Sequence, residues 1–279
     1  MTLDLLISTL GNDGIKRVAA MGLPKCEGVR YIVAWQLPDG IDTAETPDAL
    51  KRDDVTLLRH RSIGVSRNRN YALAHSTAVI CLTADDDLIY TKANLISVME
   101  AFADNPELDL AGFRVECVSD KWYPDYGFDL RKPAKGYDIS EYEMAYRRKS
   151  VQGIINFNEL LGLNSPRVHA GEGPVSLITA LARGLNCRYF PVVIGRQTRL
   201  TTGFRPTTDS GIMMAIGVVL YLRHGWLSIF YSPINALRKH RKGYRPFHKG
   251  FIEILQGIVY CHRNINRDGT EKKKCTRNS

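Results

Sequence analysis

An apolar run that ends in three carboxylates lies at residues 79–87 and reads Val79-Ile80-Cys81-Leu82-Thr83-Ala84-Asp85-Asp86-Asp87. It predicts a buried β-strand with the acids at its carboxyl end. A solvated turn or the cap of a following helix would explain such acids in ordinary structural terms. Hard divalent cations also prefer oxygen ligands, and they commonly bind one or two carboxylates together with substrate phosphates. The stretch therefore predicts a strand and a candidate metal site at its end.

Strand and helix patterns alternate on both sides of this run. β-type runs cover residues 3–9, 29–36, 55–59, 108–115 and 188–194, and helical patterns cover residues 14–21, 65–76, 94–103 and 173–183. This alternation predicts an α/β fold whose mainly parallel sheet is flanked by helices. Ligands bind outside the carboxyl ends of such strands. The residues that follow the first two strands, Thr9, Gln36 and Asp39, are therefore candidate ligand contacts.

Residues 118–150 are rich in Tyr, Lys and Asp and have little periodicity, which predicts a long irregular excursion or a hairpin. Long loops in compact enzymes tend to carry function. Trp122 in this segment and His169 further on are candidate ligand contacts. Trp122 could equally be a core anchor, and a single loop histidine is often a bystander.

The segment Gly64-Val65-Ser66-Arg67-Asn68-Arg69-Asn70 opens the helix before the acidic strand. Ser66 can cap this helix, and Gly64 gives the chain freedom to turn. A helix N-terminus surrounded by arginines suits a nucleotide phosphate. The same arginines are also compatible with ordinary surface charges.

The net charge of +9 is concentrated in the last part of the chain. Residues 223–279 hold 13 Lys and Arg against 3 Asp and Glu, so the rest of the chain is almost neutral. A uniformly basic domain would indicate nucleic acid, and we expect no nucleic-acid partner. A basic tail that follows apolar sequence points instead to an anionic membrane surface.

Two apolar runs, residues 212–222 and 226–234, precede the basic tail. Each is shorter than the roughly 20 residues that cross a bilayer. We therefore expect a helix or helical hairpin lying in the membrane interface, a peripheral contact anchored by aromatic side chains. The predicted anchors are Tyr221, Trp226, Phe230 and Tyr231. The alternative is that the segment packs on the catalytic domain or on a second subunit.

The six cysteines are scattered singly, which suggests neither a zinc site nor a disulfide framework. The first residues are unlike a secretory signal. We expect a cytoplasmic protein at the inner face of the cell membrane.

Taken in order, these segments resemble the inverting family 2 glycosyltransferases with the GT-A fold, which include bacterial enzymes of capsular and surface polysaccharide synthesis. Residues 64–70 resemble the family segment G-x-S-x-A-R-N, and residues 84–87 resemble its D-x-D ending. Residues 161–184 are similar to its acceptor-side stretch, which contains a G-E-D motif. The resemblance covers about residues 1–205 and implies a GT-A-like, Rossmann-related sheet. It implies a catalytic domain at 1–206, with a nucleotide-sugar half at 1–117 and an acceptor half at 118–206, and a helical, basic appendage at 207–279.

The resemblance also implies a nucleotide-sugar donor, a saccharide or lipid-linked saccharide acceptor, and Mn²⁺ or Mg²⁺ as cofactor. Asp85 and Asp87 would hold the metal, and Glu172 would be the general base that takes the acceptor proton. Donor contacts are implied for Thr9, Gln36, Asp39, Ser66, Arg67, Asn70, Asp85 and Asp86. Acceptor contacts are implied for His169 and Trp122. The chain departs from the pattern at Gly173 and Gln36, where many relatives have aspartate, so Glu172 must serve as base or the role moves.

Two other functions compete with a transferase. A nucleotidyltransferase would share the sheet and the acids, but it would begin with a phosphate-binding loop that residues 10–17 resemble only faintly. A membrane or nucleic-acid adaptor would act through the basic tail and would not need the three aspartates.

Overall fold

The computed structural model describes residues 1–40, 45–119, 121–199 and 209–273. Within these ranges one sheet contains nine strands: β1 (Leu3–Leu10), β2 (Val29–Gln36), β3 (Val55–His60), β4 (Ile80–Asp85), β5 (Leu88–Ile89), β6 (Leu110–Glu116), β7 (Phe128–Asp129), β8 (Met144–Arg147) and β9 (Cys187–Gln197). Their order is β3-β2-β1-β4-β8-β6-β9-β5, and β7 pairs with β9. The helices are α1 (Gly11–Ala20), α2 (Val65–His75), α3 (Lys92–Ala103), α4 (Arg148–Val151), α5 (Glu172–Ala182), α6 (Ser210–His224), α7 (Ser228–Arg241) and α8 (Phe247–Asn264).

Strands β1 to β4 form the parallel half of the sheet, with β1 between β2 and β4. Every residue of β1 except the last is buried, as expected for a strand covered on both faces. Because the strands run parallel, their carboxyl ends meet at one edge. Thr9, Gln36 and Asp85 are therefore brought to the same edge of the sheet.

Strand β8 was missed by the sequence analysis. It lies in the middle of the sheet, antiparallel to both β4 and β6, inside the segment where an irregular excursion or hairpin was expected. It is only four residues long, which is too short to show a period. The strands and helices that were predicted between residues 3 and 194 are present, with ends shifted by up to three residues. The predicted domain boundary at residue 206 lies outside the described residues.

Helices α6 and α8 pack on the rest of the chain. Side chains of both helices share a core with Leu161, Val168 and Val175. The two helices approach closely at Gly217 and Gly257, where an added Cβ would lie 2.0 Å from a backbone oxygen of the opposite helix. Only glycine allows this contact. Helix α6 therefore packs on the domain, which was the alternative to an interfacial position in the membrane.

Tyr221 on α6 is not at the surface. The residue is buried, and its hydroxyl lies 2.7 Å from His262 Nδ1. Its predicted role as a membrane anchor is therefore wrong, because packing between α6 and α8 encloses the ring.

Helix α7 has the reverse of the usual amphipathic arrangement. Its buried residues are the small Ser228, Ser232 and Ala236. Large apolar side chains on and just before the helix are exposed: Trp226, Leu227, Ile229, Phe230, Tyr231, Ile234 and Leu237. By length and composition the stretch Ser210–Arg241 could cross a membrane, but half of its most apolar window is buried, and a 3₁₀ turn at Gly225–Leu227 separates its two helices.

Candidate active site

A cavity of about 680 Å³ lies at the carboxyl edge of the parallel strands, between the sheet, α5 and the C-terminal helices. It brings together predicted residues from distant parts of the sequence. These are Thr9, Gln36, Asp85, Asp86, Asp87, His169 and Glu172. Among the residues described as lining it, Asp39, Ser66, Arg67, Asn70 and Trp122 do not occur.

The Arg69 side chain pairs with three carboxylates that line the cavity. Its guanidinium donates to Asp85 Oδ1 at 2.7 Å, to Glu141 Oε1 at 3.0 Å and to Glu172 Oε1 at 2.9 Å. Its side chain is 2% exposed. Asp85 is the last residue of strand β4 and Glu172 is the first of α5, so one buried cation links the predicted metal site to the predicted base.

The electrostatics of this cluster follow from burial. Burial lowers the pKa of Arg69, but the charges of Glu141, Asp85 and Glu172 outweigh it and raise the pKa overall. Burial raises the pKa of Asp85, while Arg69 opposes that rise. Burial also raises the pKa of Glu141, again against the effect of Arg69. The acids stay together because Arg69 neutralises part of their charge.

Asp86 is turned toward the first strand and helix. It accepts from Thr9 Oγ1 at 2.6 Å and from Arg17 Nε and Nη2 at 2.9 and 2.8 Å. The hydrogen bond to Asp86 is the main cause that raises the pKa of Arg17. Arg17 also lines the cavity, and the sequence analysis did not select it. It places a cation beside the acidic cluster.

Asp87 has the chemistry of a cation ligand. Among the described residues its buried Oδ1 has no hydrogen-bond partner. Burial, followed by the charges of Asp85 and Asp86, raises its pKa to about 6. The positive charge of Arg199 lowers this pKa and so opposes the rise. A buried carboxylate oxygen with no partner fits a hard divalent ion.

The described residues contain no group of three or more His, Cys, Asp or Glu arranged to hold a metal alone. Mg²⁺ and similar ions often use one or two carboxylates and complete their shell with substrate phosphates and water. Asp85 and Asp87 both line the cavity, and their role as metal ligands stays a prediction.

Gln36 and Thr9 line the cavity at the carboxyl ends of β2 and β1. The Gln36 amide donates to Ser62 Oγ at 2.8 Å and to the Gly64 carbonyl at 3.0 Å. Asn68, missed by the sequence analysis, donates to the carbonyls of Thr9 and Ala34. These bonds fix the strand ends against the start of α2. Asp39, in contrast, is almost fully exposed and lies 3.7 Å from Arg61.

Three predicted donor contacts on α2 are engaged with the segment around residues 157–161. Ser66 donates to the Leu161 carbonyl at 2.7 Å, and Arg67 pairs with Glu159 at 2.9 Å. Asn70 exchanges hydrogen bonds with the backbone of Phe157. Their positions connect the two halves of the fold, and their role in donor binding stays a prediction.

The position after Glu172 has no room for a side chain. A Cβ built on Gly173 would lie 2.7 Å from the backbone nitrogen of Glu141 and 3.0 Å from its Oε2. An aspartate here would require the turn at residues 140–143 to move. The departure from the family pattern is therefore built into the packing.

Helix α6 gives the cavity an apolar wall, and two basic residues also line it. Helix α6 supplies Ile212, Ala215, Ile216, Val219 and Leu220, and Arg223 and Lys239 follow. Burial lowers the pKa of Lys239 to about 8. His169 lies on this side and contacts Asp209. Trp122 is 54% exposed and is not among the described lining residues.

Comparison with known proteins agrees with this arrangement. Residues 39–158 match Glycosyl transferase family 2. A comparison with curated proteins gave no match. Among solved structures the chain is similar to TarS of S. aureus, with 17% identity, a TM-score of 0.56, and coverage of 86% of this chain and 43% of that one. The chain thus spans less than half of the length of that TarS chain.

Two further structures have the same fold. TarS 1–349 of S. aureus in complex with UDP has 17% identity and a TM-score of 0.53, with coverage of 85% of this chain and 70% of that one. The mannosyltransferase PcManGT of Pyrobaculum calidifontis, in complex with GDP-Man and Mn²⁺, has 13% identity and a TM-score of 0.51. Coverage there is 94% of this chain and 75% of that one.

Residues 39–158 are thus similar to glycosyl transferase family 2, and the fold of the chain is GT-A-like, as the sequence predicted.

Proposed function

We propose that the protein is an inverting, metal-assisted glycosyltransferase that moves a sugar from a nucleotide sugar to a lipid-linked saccharide during surface polysaccharide synthesis. The observation that supports this most is the single cavity that joins the acids after β4 to Glu172 through Arg69. A donor phosphate and an acceptor hydroxyl can meet there. Single displacement at the anomeric carbon inverts its configuration.

Asp87, with Asp85, would hold Mn²⁺ or Mg²⁺ in this proposal. Bound there, the metal would supply positive charge to the departing diphosphate. Support comes from the unpartnered, buried oxygen of Asp87 and from the Mn²⁺ in the PcManGT structure. Arg17, held by Asp86, would add a second positive charge near the phosphates.

Thr9 and Gln36 are the proposed contacts to the nucleotide, because they line the cavity at the carboxyl ends of β1 and β2. The solved relatives hold UDP or GDP-Man, so uridine and guanosine nucleotides are the first donors to test. Asp39 would act only at the rim, because its side chain is exposed.

The acceptor is proposed to be lipid-linked because α6 gives the cavity an apolar wall. Five apolar side chains of α6 form that wall, which suits a hydrocarbon chain better than a free sugar. Arg223 and Lys239 also line the cavity and could bind the phosphate that joins lipid to saccharide. Glu172 and His169 both line the same cavity and can reach a proton from the acceptor.

We further propose that α7 rests on the cytoplasmic face of the cell membrane. Its exposed apolar side chains stand next to the basic run Arg238-Lys239-His240-Arg241-Lys242. Apolar insertion combined with attraction to anionic lipids is how interfacial helices bind, and the cytoplasmic leaflet carries such lipids. Helix α7 also contributes Asn235 and Lys239 to the cavity, so a docked α7 would bring the acceptor wall near the lipid.

Thermal unfolding tests donor binding. We expect one nucleoside diphosphate from a panel that includes UDP and GDP to raise Tm only when Mn²⁺ or Mg²⁺ is present, because a ligand of the folded state stabilises it. The double variant Asp85→Asn/Asp87→Asn should lose the shift. Asp13→Asn, which changes an exposed acid on α1, should keep it. No shift with any nucleotide would favour an adaptor that acts through its basic segment.

Sedimentation with vesicles tests the membrane contact. We expect the full chain to bind vesicles that contain phosphatidylserine and the variant Leu227→Ser/Phe230→Ser to stay in solution. Ile96→Ser removes an exposed apolar side chain on α3 and should bind as the wild type does. Equal sedimentation of all three proteins would rule out docking through α7.

A further inference from the structure

A histidine and an aspartate form a tight pair on the α6 side of the cavity. His169 Nδ1 lies 2.9 Å from Asp209 Oδ1 and 2.8 Å from its Oδ2. Asp209 also caps α6, since its Oδ1 accepts from the Gly211 backbone nitrogen at 2.7 Å. The carboxylate is therefore fixed by the helix and cannot easily turn away from the ring.

The hydrogen-bonding chemistry of the pair defines the tautomer of the histidine. An ionised carboxylate only accepts hydrogen bonds, so Nδ1 must carry a proton. In the neutral imidazole the lone pair is then on Nε2, the arrangement that a histidine needs to act as a base.

The imidazole is also held by packing. A Cβ built on Gly211 would lie 2.5 Å from His169 Cγ and 2.6 Å from Nδ1. The backbone nitrogen of His169 donates to the Gly211 carbonyl at 3.3 Å. The ring lies in the space that the missing side chain of Gly211 leaves. About a third of the His169 side chain stays exposed, at the cavity.

On the basis of the proposed function, we propose that His169 is the general base of the transfer and that Asp209 is its positioning residue. The step is a single displacement. The acceptor O–H bond breaks, and its proton moves to Nε2 of His169 while the oxygen forms a bond to the anomeric carbon. The bond from that carbon to the diphosphate oxygen breaks, and its electron pair leaves with the nucleoside diphosphate. The imidazolium, stabilised by Asp209, then loses its proton to water.

The two glutamates that line the cavity are less suited to this role. Glu172 and Glu141 are both bonded to Arg69, and their side chains are 7% and 15% exposed. A proton taken by either acid would weaken its pairing with a buried guanidinium. Gly173 offers no carboxylate and no room for one. In this account Glu172 and Arg69 orient the site, and the more accessible His169 takes the proton.

The test uses the full chain with Mn²⁺, a panel of UDP- and GDP-sugars, and water as the acceptor, and it measures release of nucleoside diphosphate. We expect His169→Ala and His169→Gln to lower kcat on the order of 100-fold or more, the usual contribution of a general base, with KM unchanged. Added imidazole should restore activity to His169→Ala. His248→Ala, an exposed histidine on α8, should behave as the wild type with and without imidazole.

Asp209→Asn keeps an oxygen that can cap α6 but no longer fixes the tautomer of His169. We expect a smaller loss of kcat than for His169→Ala, with KM unchanged and no rescue by imidazole. If both His169 variants keep the wild-type kcat while Glu172→Gln or Glu141→Gln loses it, the base is a carboxylate and the proposal is wrong. If the wild type binds no nucleotide and releases none from any donor, the proposed function fails and this proposal fails with it.

Discussion

The parallel half of the sheet and helix α7 differ in which side chains they bury and which they expose. In the sheet half, charged side chains are drawn inside and paired, most clearly at Arg69 with its three carboxylates. In α7, large apolar side chains are left outside while serine and alanine face inward. Both arrangements cost folding stability, and in both cases a ligand or a surface would recover part of that cost. In the proposed function, the sheet edge would bind the charged donor and α7 would contact the membrane surface.

The largest expected effect comes from removing the buried cation. Arg69→Met leaves three carboxylates in a buried site without their common partner. We expect the free energy of unfolding to fall by about 3–5 kcal/mol, as for other broken buried ion pairs, measured by urea denaturation. Arg67→Met breaks the exposed pair with Glu159. It should change the free energy of unfolding by no more than about 1 kcal/mol. Equal effects of the two variants would show that Arg69 does not hold the site together.

The next effect concerns the contact between α6 and α8. Gly217→Ala places a methyl group 2.0 Å from the Ile254 carbonyl oxygen, so the helices must separate. We expect a loss of about 1–3 kcal/mol, typical of overpacking, by the same denaturation measurement. Binding of nucleoside diphosphate with Mn²⁺ should persist because the sheet edge is untouched. If the folded variant no longer bound the nucleotide, the contact between α6 and α8 would also affect the sheet edge.

Replacing Asp87 should have a smaller effect, and it should raise stability rather than lower it. Its folded-state pKa of about 6 lies above the ordinary value of 3.8, so the ionised group lowers stability above pH 6, and the cost disappears as the pH falls below 3.8. Allowing for solvent screening, we expect Asp87→Asn in EDTA at pH 7 to raise Tm on the order of 1–3 °C. The gain should shrink toward pH 4. A lower Tm for the variant at pH 7 would contradict the account of Asp87 as an unpaired buried acid.

The smallest effect on stability is expected on α7. Leu227→Ser/Phe230→Ser alters side chains that contact solvent, so the free energy of unfolding should change by no more than about 0.5 kcal/mol for each substitution, measured in urea. The same variant should lose vesicle binding, so docking and folding would be separated. A large loss of stability would instead mean that these side chains belong to the fold.

The sequence predicted the parallel strands, the helices between them and the edge where the site lies, because these depend on local periodicity and on strand order. It did not predict β8, which is four residues long and is placed by pairing with β4 and β6. It assigned Tyr221 to a surface, because an apolar helix reads alike whether it covers a domain or a membrane. For the same reason the sequence did not show that α6 packs on the domain while α7 exposes its large apolar side chains.

Within the site, the sequence selected the three aspartates and Glu172 but could not show what connects them. Arg69 was one of several arginines near a helix start, and only the fold distinguishes it by burial. The pairing of His169 with Asp209 spans 40 residues and leaves no pattern in the sequence. The lack of space at Gly173 likewise comes from a turn more than 30 residues earlier in the chain.

Titration calorimetry of UDP and GDP, with and without Mn²⁺, tests the central claim most directly. We predict that one nucleotide binds the wild-type chain, that Mn²⁺ tightens its binding on the order of 10-fold or more, equivalent to about 1.4 kcal/mol, and that Asp85→Asn/Asp87→Asn removes the effect of the metal. Binding that is equally strong without metal and in the double variant would contradict the assignment of the metal and donor to the acids after β4.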